Sequence, residues 1–242
     1  MEELTKEEYD AAGLIDDDIE GSKEERAFRL WINSLQLEDC FVNNLYEDCR
    51  DGLVLLKTFH RVDKTCVDWT NVVKKPKNVF DKNANCDAAE DAAKKLRLMV
   101  VSGCAEDIRD GNKKGLLQIV WQLMRVHYLK IIGSKTEKDL INWVNEAAAD
   151  GEPVTGFSSQ GWSTGKLLIK LCAAIEPRVV NWDLVTEGQT DEDKEMNAKY
   201  AISIARKLGC AVFCVWDDIV NLNKKMILIF VCSLYDMKHN IE

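Results

Sequence analysis

Apolar residues recur at spacings of three and four along most of the chain, as on the buried face of an amphipathic helix. Leu53, Leu56 and His60 share one such face, and an alanine-rich stripe over 88–96 forms another. The sequence contains only three prolines, so long helices are unobstructed. The pattern predicts an all-α protein.

Capping residues indicate where individual helices begin. Ser22 and Glu25 have the spacing of a capping box, ahead of a helix predicted over 26–37. Thr136 and Asp139 have the same spacing, with Asp in place of Glu, and predict a second helix start.

The second half of the sequence repeats the first. WIN at 31–33 corresponds to WVN at 143–145, a shift of 112 residues (143 − 31). NCDAAEDAAKKL, which begins at Asn85, corresponds at the same shift to NAKYAISIARKL, which begins at Asn197. Each copy has about a hundred residues, an ordinary domain size, and two copies are too few for a stacked array.

The repeat predicts two helical domains, each a compact bundle of about four main helices plus short ones. We place an acidic leader at 1–21, the first copy at 22–132 and the second copy at 133–242.

Composition narrows the classes of function. The chain has 242 residues, 46% of them hydrophobic and 30% charged, as in a folded globular protein. A net charge of −9 argues against a general nucleic-acid binder, although lysines do cluster locally. No apolar run is long enough to span a bilayer, and the acidic N-terminus lacks the features of a signal peptide. We therefore expect a cytoplasmic protein.

The nine cysteines agree with that compartment. Their number is odd and no pair has Cys-x-x-Cys spacing, so neither a zinc ribbon nor a redox motif is indicated. Most have apolar neighbours in sequence, which predicts reduced, buried side chains.

Two motif-like segments do not meet their requirements. GWSTGKL, from Gly161, has three residues between its glycines where a phosphate-binding loop needs four. DDDIEG, from Asp16, begins like a calcium loop, but its twelfth position is Ala27. The three histidines show no ligand spacing. We predict no enzyme, no metal site and no cofactor.

The last helix of each copy is the most apolar, and each begins at a lysine pair. In the first copy, Lys114, Gln118 and Gln122 lie on a polar stripe beside a second apolar stripe over 117–128. This second apolar stripe packs against a neighbouring helix or domain, or it forms an exposed docking strip.

The repeated motifs resemble the calponin homology domain. They comprise a Trp in the first helix (LWINSL, INWVNE), a glycine-led apolar helix (RDGLVLLK, STGKLLIK), V-D/N-W, and a final DI…NKK helix. A tandem pair resembles the actin-binding domains of α-actinin, spectrin and fimbrin. Long segments, such as DIRDGNKKGLLQIVWQLMR, are most similar to the second, C-terminal actin-binding domain of the fimbrin/plastin family. The EF-hands and the other tandem pair of that family do not occur in this sequence.

The resemblance implies a non-enzymatic actin-filament binding module of the actin cytoskeleton. We expect the chain to be a monomer. Paired with a second binding site, it would contribute to crosslinking or bundling. In the family the first copy makes most of the filament contact, through its first helix, a middle loop and the start of its last helix. The matching residues here are Arg26, Arg29, Leu30, Asn33, Lys74, Lys75, Lys77, Lys113, Lys114, Leu117, Gln118, Trp121 and Gln122.

The fold alone leaves an alternative of another class. Calponin homology domains also resemble scaffold modules for non-actin partners and microtubule-binding modules. Single copies favour those functions, whereas a tandem pair favours actin.

Overall fold

The computed structural model describes residues 23–100, 103–133, 135–148 and 153–239. Regular structure in these ranges consists of α-helices and short 3-10 helices without any β-strand, which confirms the predicted all-α fold. The predicted leader at 1–21, the Ser22 cap and the DDDIEG segment lie outside the described residues. The chain divides between Ser134 and Lys135 into two compact units.

The first unit is built from four longer helices and three short ones. In chain order they are α1 (Lys23–Ser34), α2 (Leu45–Asp48), α3 (Leu53–Val62), a 3-10 turn (Trp69–Asn71), α4 (Val79–Lys95), α5 (Cys104–Asp110) and α6 (Lys113–Ile131).

The second unit repeats this order, which confirms the duplication. Its elements are α7 (Glu137–Ala147), a 3-10 turn (Gln160–Trp162), α8 (Lys166–Ile175), two 3-10 turns (Pro177–Val179 and Trp182–Leu184), α9 (Asp191–Lys207), α10 (Trp216–Val220) and α11 (Lys224–His239). Both units thus have four main helices, as predicted.

The first helix ends earlier than its sequence pattern suggests. α1 stops at Ser34 and not at Leu37, because Gln36 adopts a left-handed φ of 52° that a helix cannot continue through. The end predicted from periodicity was wrong. The predicted cap at Thr136 is confirmed: its hydroxyl accepts the Asp139 N–H, and the Asp139 carboxylate accepts the Thr136 N–H.

A buried asparagine holds three stretches of the first unit together. The Asn85 amide accepts the Val73 N–H at 2.8 Å and donates to the carbonyls of Val73 and Asp51 at 3.0 and 3.1 Å. Gly52 precedes α3 with a φ of 78°, and a Cβ there would lie 2.8 Å from the Asn85 backbone. The close approach of α3 to α4 therefore requires glycine.

The second unit contains the same arrangement. The Asn197 amide accepts the Thr186 N–H at 2.9 Å and donates to the Thr186 and Thr164 carbonyls. Gly165, with a φ of 70°, approaches the Asn197 backbone just as closely. The asparagines and glycines are thus part of the repeated framework.

A Trp–His pair joins the first and last helices of the first unit. The Trp31 indole N–H on α1 donates to His127 Nδ1 on α6 at 3.2 Å. Burial, assisted by the charges of Arg61 and Lys130, lowers the pKa of His127 to about 4. The imidazole is therefore neutral at physiological pH and free to accept this bond.

We expect Gly52→Ala to lower the free energy of unfolding of the first unit by about 3 kcal/mol or more, from left-handed strain plus overpacking. Gly133→Ala is the matched control, because Gly133 has a φ of 71° and a Cβ added there would meet no atom within 4 Å. Gly133→Ala should cost only the left-handed strain, about 1–2 kcal/mol. Urea unfolding of the full chain measures both, and equal losses would contradict the close-approach argument.

We expect the stability of the first unit to decrease as the pH falls from 7 to 5. Below its ordinary pKa of about 6.5, His127 takes up a proton in the unfolded chain but not in the folded one, so acid favours unfolding. The loss should reach about 2 kcal/mol by pH 5. His127→Gln keeps an acceptor for the indole without this titration, and its stability should vary less over that range. If the stability of His127→Gln and of the parent chain changed identically with pH, the lowered pKa of His127 would not be the cause.

Candidate functional site

Of the residues predicted to bind actin on the first helix, Leu30 is exposed, whereas Arg29 and Asn33 make contacts within the first unit. Arg29 pairs with Glu25 at 3.3 Å, and Glu25 is buried and accepts the Leu45 N–H of α2. The Asn33 amide accepts the Val42 N–H at 2.8 Å and donates to its carbonyl at 2.9 Å.

Asn145 makes the same two bonds to Val154 in the second unit, so the Asn33 amide has an architectural function. Asn33 as a contact residue stays a prediction, as does half-buried Arg26.

The lysine pair at the start of α6 is exposed. The Asn112 side chain caps the helix by accepting the N–H groups of Lys114 and Gly115, and Lys113 Nζ lies 5.4 Å from the centre of the Tyr46 ring on α2. Neither lysine has a carboxylate partner within the described residues. In the second unit, by contrast, Lys224 pairs with Glu137 at 3.2 Å. The two lysine pairs therefore differ in how much of their positive charge is neutralised by nearby carboxylates.

The apolar stripe beside the lysines is divided along α6. Met124 and Tyr128 are buried in the first unit, whereas Leu117 and Trp121 are half-buried. Packing within the first unit thus explains the C-terminal half of the stripe. The N-terminal half, nearest the lysines, retains accessible apolar surface.

Gln118 and Gln122 differ in their contacts. Gln118 is exposed, whereas Gln122 Oε1 accepts the Met99 N–H at 2.7 Å and its Nε2 donates to the Met99 carbonyl at 3.0 Å. The amide of Gln122 therefore holds the Met99 backbone beside α6, where the Met99 side chain is 78% exposed. Sequence reasoning missed Met99, because 23 residues separate it from the glutamine that places it.

The middle loop displays Lys74, Lys75 and Lys77, all exposed. The Asn85 amide fixes its beginning at Val73, and the Asp81 carboxylate accepts the Lys77 N–H at 2.9 Å.

A cleft of about 860 Å³ follows this loop. Its lining includes Phe41 and Val79 together with Arg109 and Asp110, which precede the lysine pair of α6. Phe41, Val79 and neighbouring Phe80 are large exposed apolar side chains that sequence reasoning also missed.

The structure brings two of the three predicted segments to one place. The first turns of α1 and α6 both border α2, through Glu25 and Lys113. The middle loop has no hydrogen bond to α1 or α6 among the described residues, and neither its lysines nor α6 line the cleft. The combination of exposed lysines and accessible apolar side chains is suited to binding an acidic macromolecular surface.

The charge of the chain is unevenly distributed. Residues 23–134 contain 19 Lys and Arg against 16 Asp and Glu, a net charge of +3 (19 − 16), whereas residues 135–242 contain 12 against 16, a net charge of −4 (12 − 16). The overall −9 therefore conceals a basic first unit.

The cysteines fit the prediction of reduced, buried side chains. All nine are free, and eight of them are buried. Burial raises the pKa of the Cys86 thiol to about 12 and that of Cys66 to about 11, which keeps these thiols protonated and unreactive.

The described residues contain neither a metal-binding cluster nor a membrane-spanning helix. No group of three or more His, Cys, Asp or Glu side chains there is placed to hold a metal ion. None of the described helices combines the length and apolar character needed to cross a bilayer.

Comparison with known families gives one match for each unit. The model of the calponin homology (CH) domain matches residues 22–129 and again residues 134–240.

Fimbrins and plastins are among the proteins similar to this chain. Fimbrin-5 of Arabidopsis thaliana is 42% identical over 236 residues, which cover 92% of this chain and 34% of that protein. Plastin-3 of Homo sapiens is 37% identical over 235 residues, which cover 89% of this chain and 37% of that protein. The chain thus spans about a third of the length of these relatives.

A solved structure is similar throughout the fold. The actin-crosslinking core of Schizosaccharomyces pombe fimbrin aligns with a TM-score of 0.79 at 33% identity, covering 90% of this chain and 49% of that one.

Proposed function

The chain belongs to the calponin homology family, as a tandem pair of domains homologous to fimbrins and plastins, and on that premise we propose that it is an actin-filament binding module. The similar solved structure is the actin-crosslinking core of a fimbrin, and the chain corresponds to about half of it. The protein acts by binding, without catalysis, and as a cytoplasmic monomer of the actin cytoskeleton.

The observation that carries this proposal is the difference between the two lysine pairs. Lys113 and Lys114 have no carboxylate partner among the described residues, whereas Lys224 is paired with Glu137. An acidic filament attracts uncompensated lysines, so the first unit supplies the binding surface.

Lysine charge and apolar area have separate functions in this footprint. Lys74, Lys75, Lys77, Lys113 and Lys114 lie at its rim, where charge orients the encounter. Leu117 and Trp121 supply apolar area, and the exposed Met99 side chain adds to it because Gln122 holds the Met99 backbone beside α6. Gln122 therefore acts as a positioning residue.

The alternative is a scaffold or microtubule-binding module on the same fold. Cosedimentation across a salt series, with actin filaments and microtubules in parallel, distinguishes the two. Saturable pelleting with actin alone that weakens as salt rises supports the proposal. Pelleting with microtubules alone supports the alternative.

We expect Lys113→Gln combined with Lys114→Gln to weaken actin binding about five- to tenfold at low salt and to flatten the salt dependence, since two rim charges are lost. Lys224→Gln with Lys225→Gln makes the same change of charge at the equivalent positions of the second unit. This control should bind like the parent chain. Equal weakening by both variants, with unchanged thermal unfolding, would show that α6 has no special function.

A single copy of this chain should decorate filaments without bundling them. A crosslink needs two filament-binding surfaces, and the described residues offer one basic candidate surface, on the first unit. Low-speed sedimentation, which pellets bundles but leaves single filaments in solution, tests this after light scattering has verified a monomer. Bundles formed by the verified monomer would refute the single-surface proposal.

A further inference from the structure

The second unit exposes large apolar side chains where the first does not. Trp182, Leu184 and Met196 are each just over half exposed, at 52%, 55% and 52%. The residues at the equivalent positions of the first copy are Trp69, Asn71 and Ala84. The duplication therefore provides an internal reference, because the same fold is built without this apolar surface.

The equivalent tryptophans also differ in their surroundings. The Trp69 indole N–H donates to His60 Nδ1 at 3.2 Å, and the two rings make an edge-on contact at 5.4 Å. The position equivalent to His60 is Ala173, so the second unit lacks this acceptor. Trp182 is consequently more exposed than Trp69, which is half-buried.

Hydrogen bonds place the two stretches of chain that carry these apolar side chains beside one another. The Asn181 N–H donates to the Tyr200 hydroxyl at 2.7 Å, and Thr186 Oγ1 donates to the Asp193 carbonyl at 3.1 Å. The segment 181–186 therefore runs antiparallel to α9 between its residues 200 and 193. Met196 lies on α9 within that interval, alongside the stretch that carries Trp182 and Leu184. We call these three side chains the Trp182 patch.

The charge around the Trp182 patch is negative. Residues 181–196 contain six carboxylates, and three of them are compensated: Asp191, Glu187 and Glu195 pair with Lys194, Lys166 and Lys199 at 3.2, 2.9 and 2.7 Å. Asp183 and Glu192 are exposed without an ion pair among the described residues. A ligand of this surface must therefore bring positive charge together with apolar area.

We propose that the Trp182 patch is a docking surface for a basic, amphipathic helical segment of a partner protein. Such a segment buries its apolar stripe against the three side chains while its Lys or Arg residues meet the carboxylates around them. The inference does not depend on the actin proposal, since it concerns a different unit.

Charge argues against the other occupants. A second copy that docked through the same patch would bring the same carboxylates to the contact, and an acidic filament would be repelled likewise. A second copy that docked through its basic first unit would appear as a dimer by light scattering, which would overturn the proposal. Residues 1–22 of this chain carry nine carboxylates against Lys6, so they too have the wrong sign.

The test measures binding of a synthetic peptide of about 18 residues, with Leu and Lys at helical spacing, to the full chain by titration calorimetry. A peptide with Glu in place of Lys serves as the charge control. We expect saturable binding of the Lys peptide that weakens as salt rises, and none of the Glu peptide. Absence of saturable binding at low salt, or equal binding of both peptides, would overturn the proposal.

Substitutions locate the binding surface. Leu184→Asn with Met196→Ala introduces the residues that the first copy has at these positions, and should weaken peptide binding at least tenfold while leaving actin pelleting unchanged. Val79→Ala with Phe80→Ala, which removes exposed apolar area from the first unit, is the matched control and should bind the peptide normally.

The proposal would be overturned if both double substitutions weakened peptide binding equally, or if Leu184→Asn with Met196→Ala did not weaken it, because the peptide would then bind elsewhere. If Leu184→Asn with Met196→Ala lowers the unfolding temperature, Asp183→Asn with Glu192→Gln replaces it. Because these two side chains are exposed, this variant should keep the fold and lose several-fold in affinity. Unchanged affinity in it would contradict the charge argument.

Discussion

The architecture depends on a buried amide that satisfies backbone groups from two other stretches of chain. In each unit an asparagine of the long central helix, Asn85 or Asn197, bonds the segment that leads into that helix and the turn before the preceding helix. Leaving such buried groups without partners would cost about 1–3 kcal/mol each. The glycine opposite, Gly52 or Gly165, allows the backbones to approach closely enough for these bonds. The loops on which the candidate surfaces lie are thereby fixed at one end.

Given this shared framework, the two units differ mainly where side chains reach solvent. The first unit leaves its lysine pair uncompensated and displays Met99 through the Gln122 amide. The second pairs Lys224 with Glu137 and exposes the Trp182 patch within an acidic stretch. Because the buried hydrogen bonds of Asn85 and Asn197 are the same, these surface differences have little effect on the stability of either unit. Duplication thus allows one fold to present surfaces of opposite charge.

The sequence predicted the fold more completely than the surface. The helical period and the Thr136 cap are patterns within a few neighbouring residues, and the repeat is visible by comparing the two halves of the sequence. Each of them is observed in the structure. The end of α1 could not be predicted in this way, because Asn33 and the left-handed Gln36 turn the chain through contacts that periodicity does not encode. The same holds for Met99, which a distant glutamine positions. Exposure of Phe41, Val79 and Phe80 likewise follows from the tertiary fold, since the sequence alone does not show which apolar side chains the core leaves uncovered.

Charge segregation favours different partners for the two proposed surfaces. The net charge of −9 on the whole chain suggests repulsion from an acidic filament, but electrostatic steering depends on the local field at distances near the Debye length, about 8 Å at physiological salt. Within that range of the first unit, an approaching filament senses the uncompensated lysines there more strongly than the net charge of the whole chain. An acidic polymer and a basic segment are therefore each attracted to one surface and repelled by the other. Sequence divergence between the copies is then a means of keeping two binding functions from competing for the same residues.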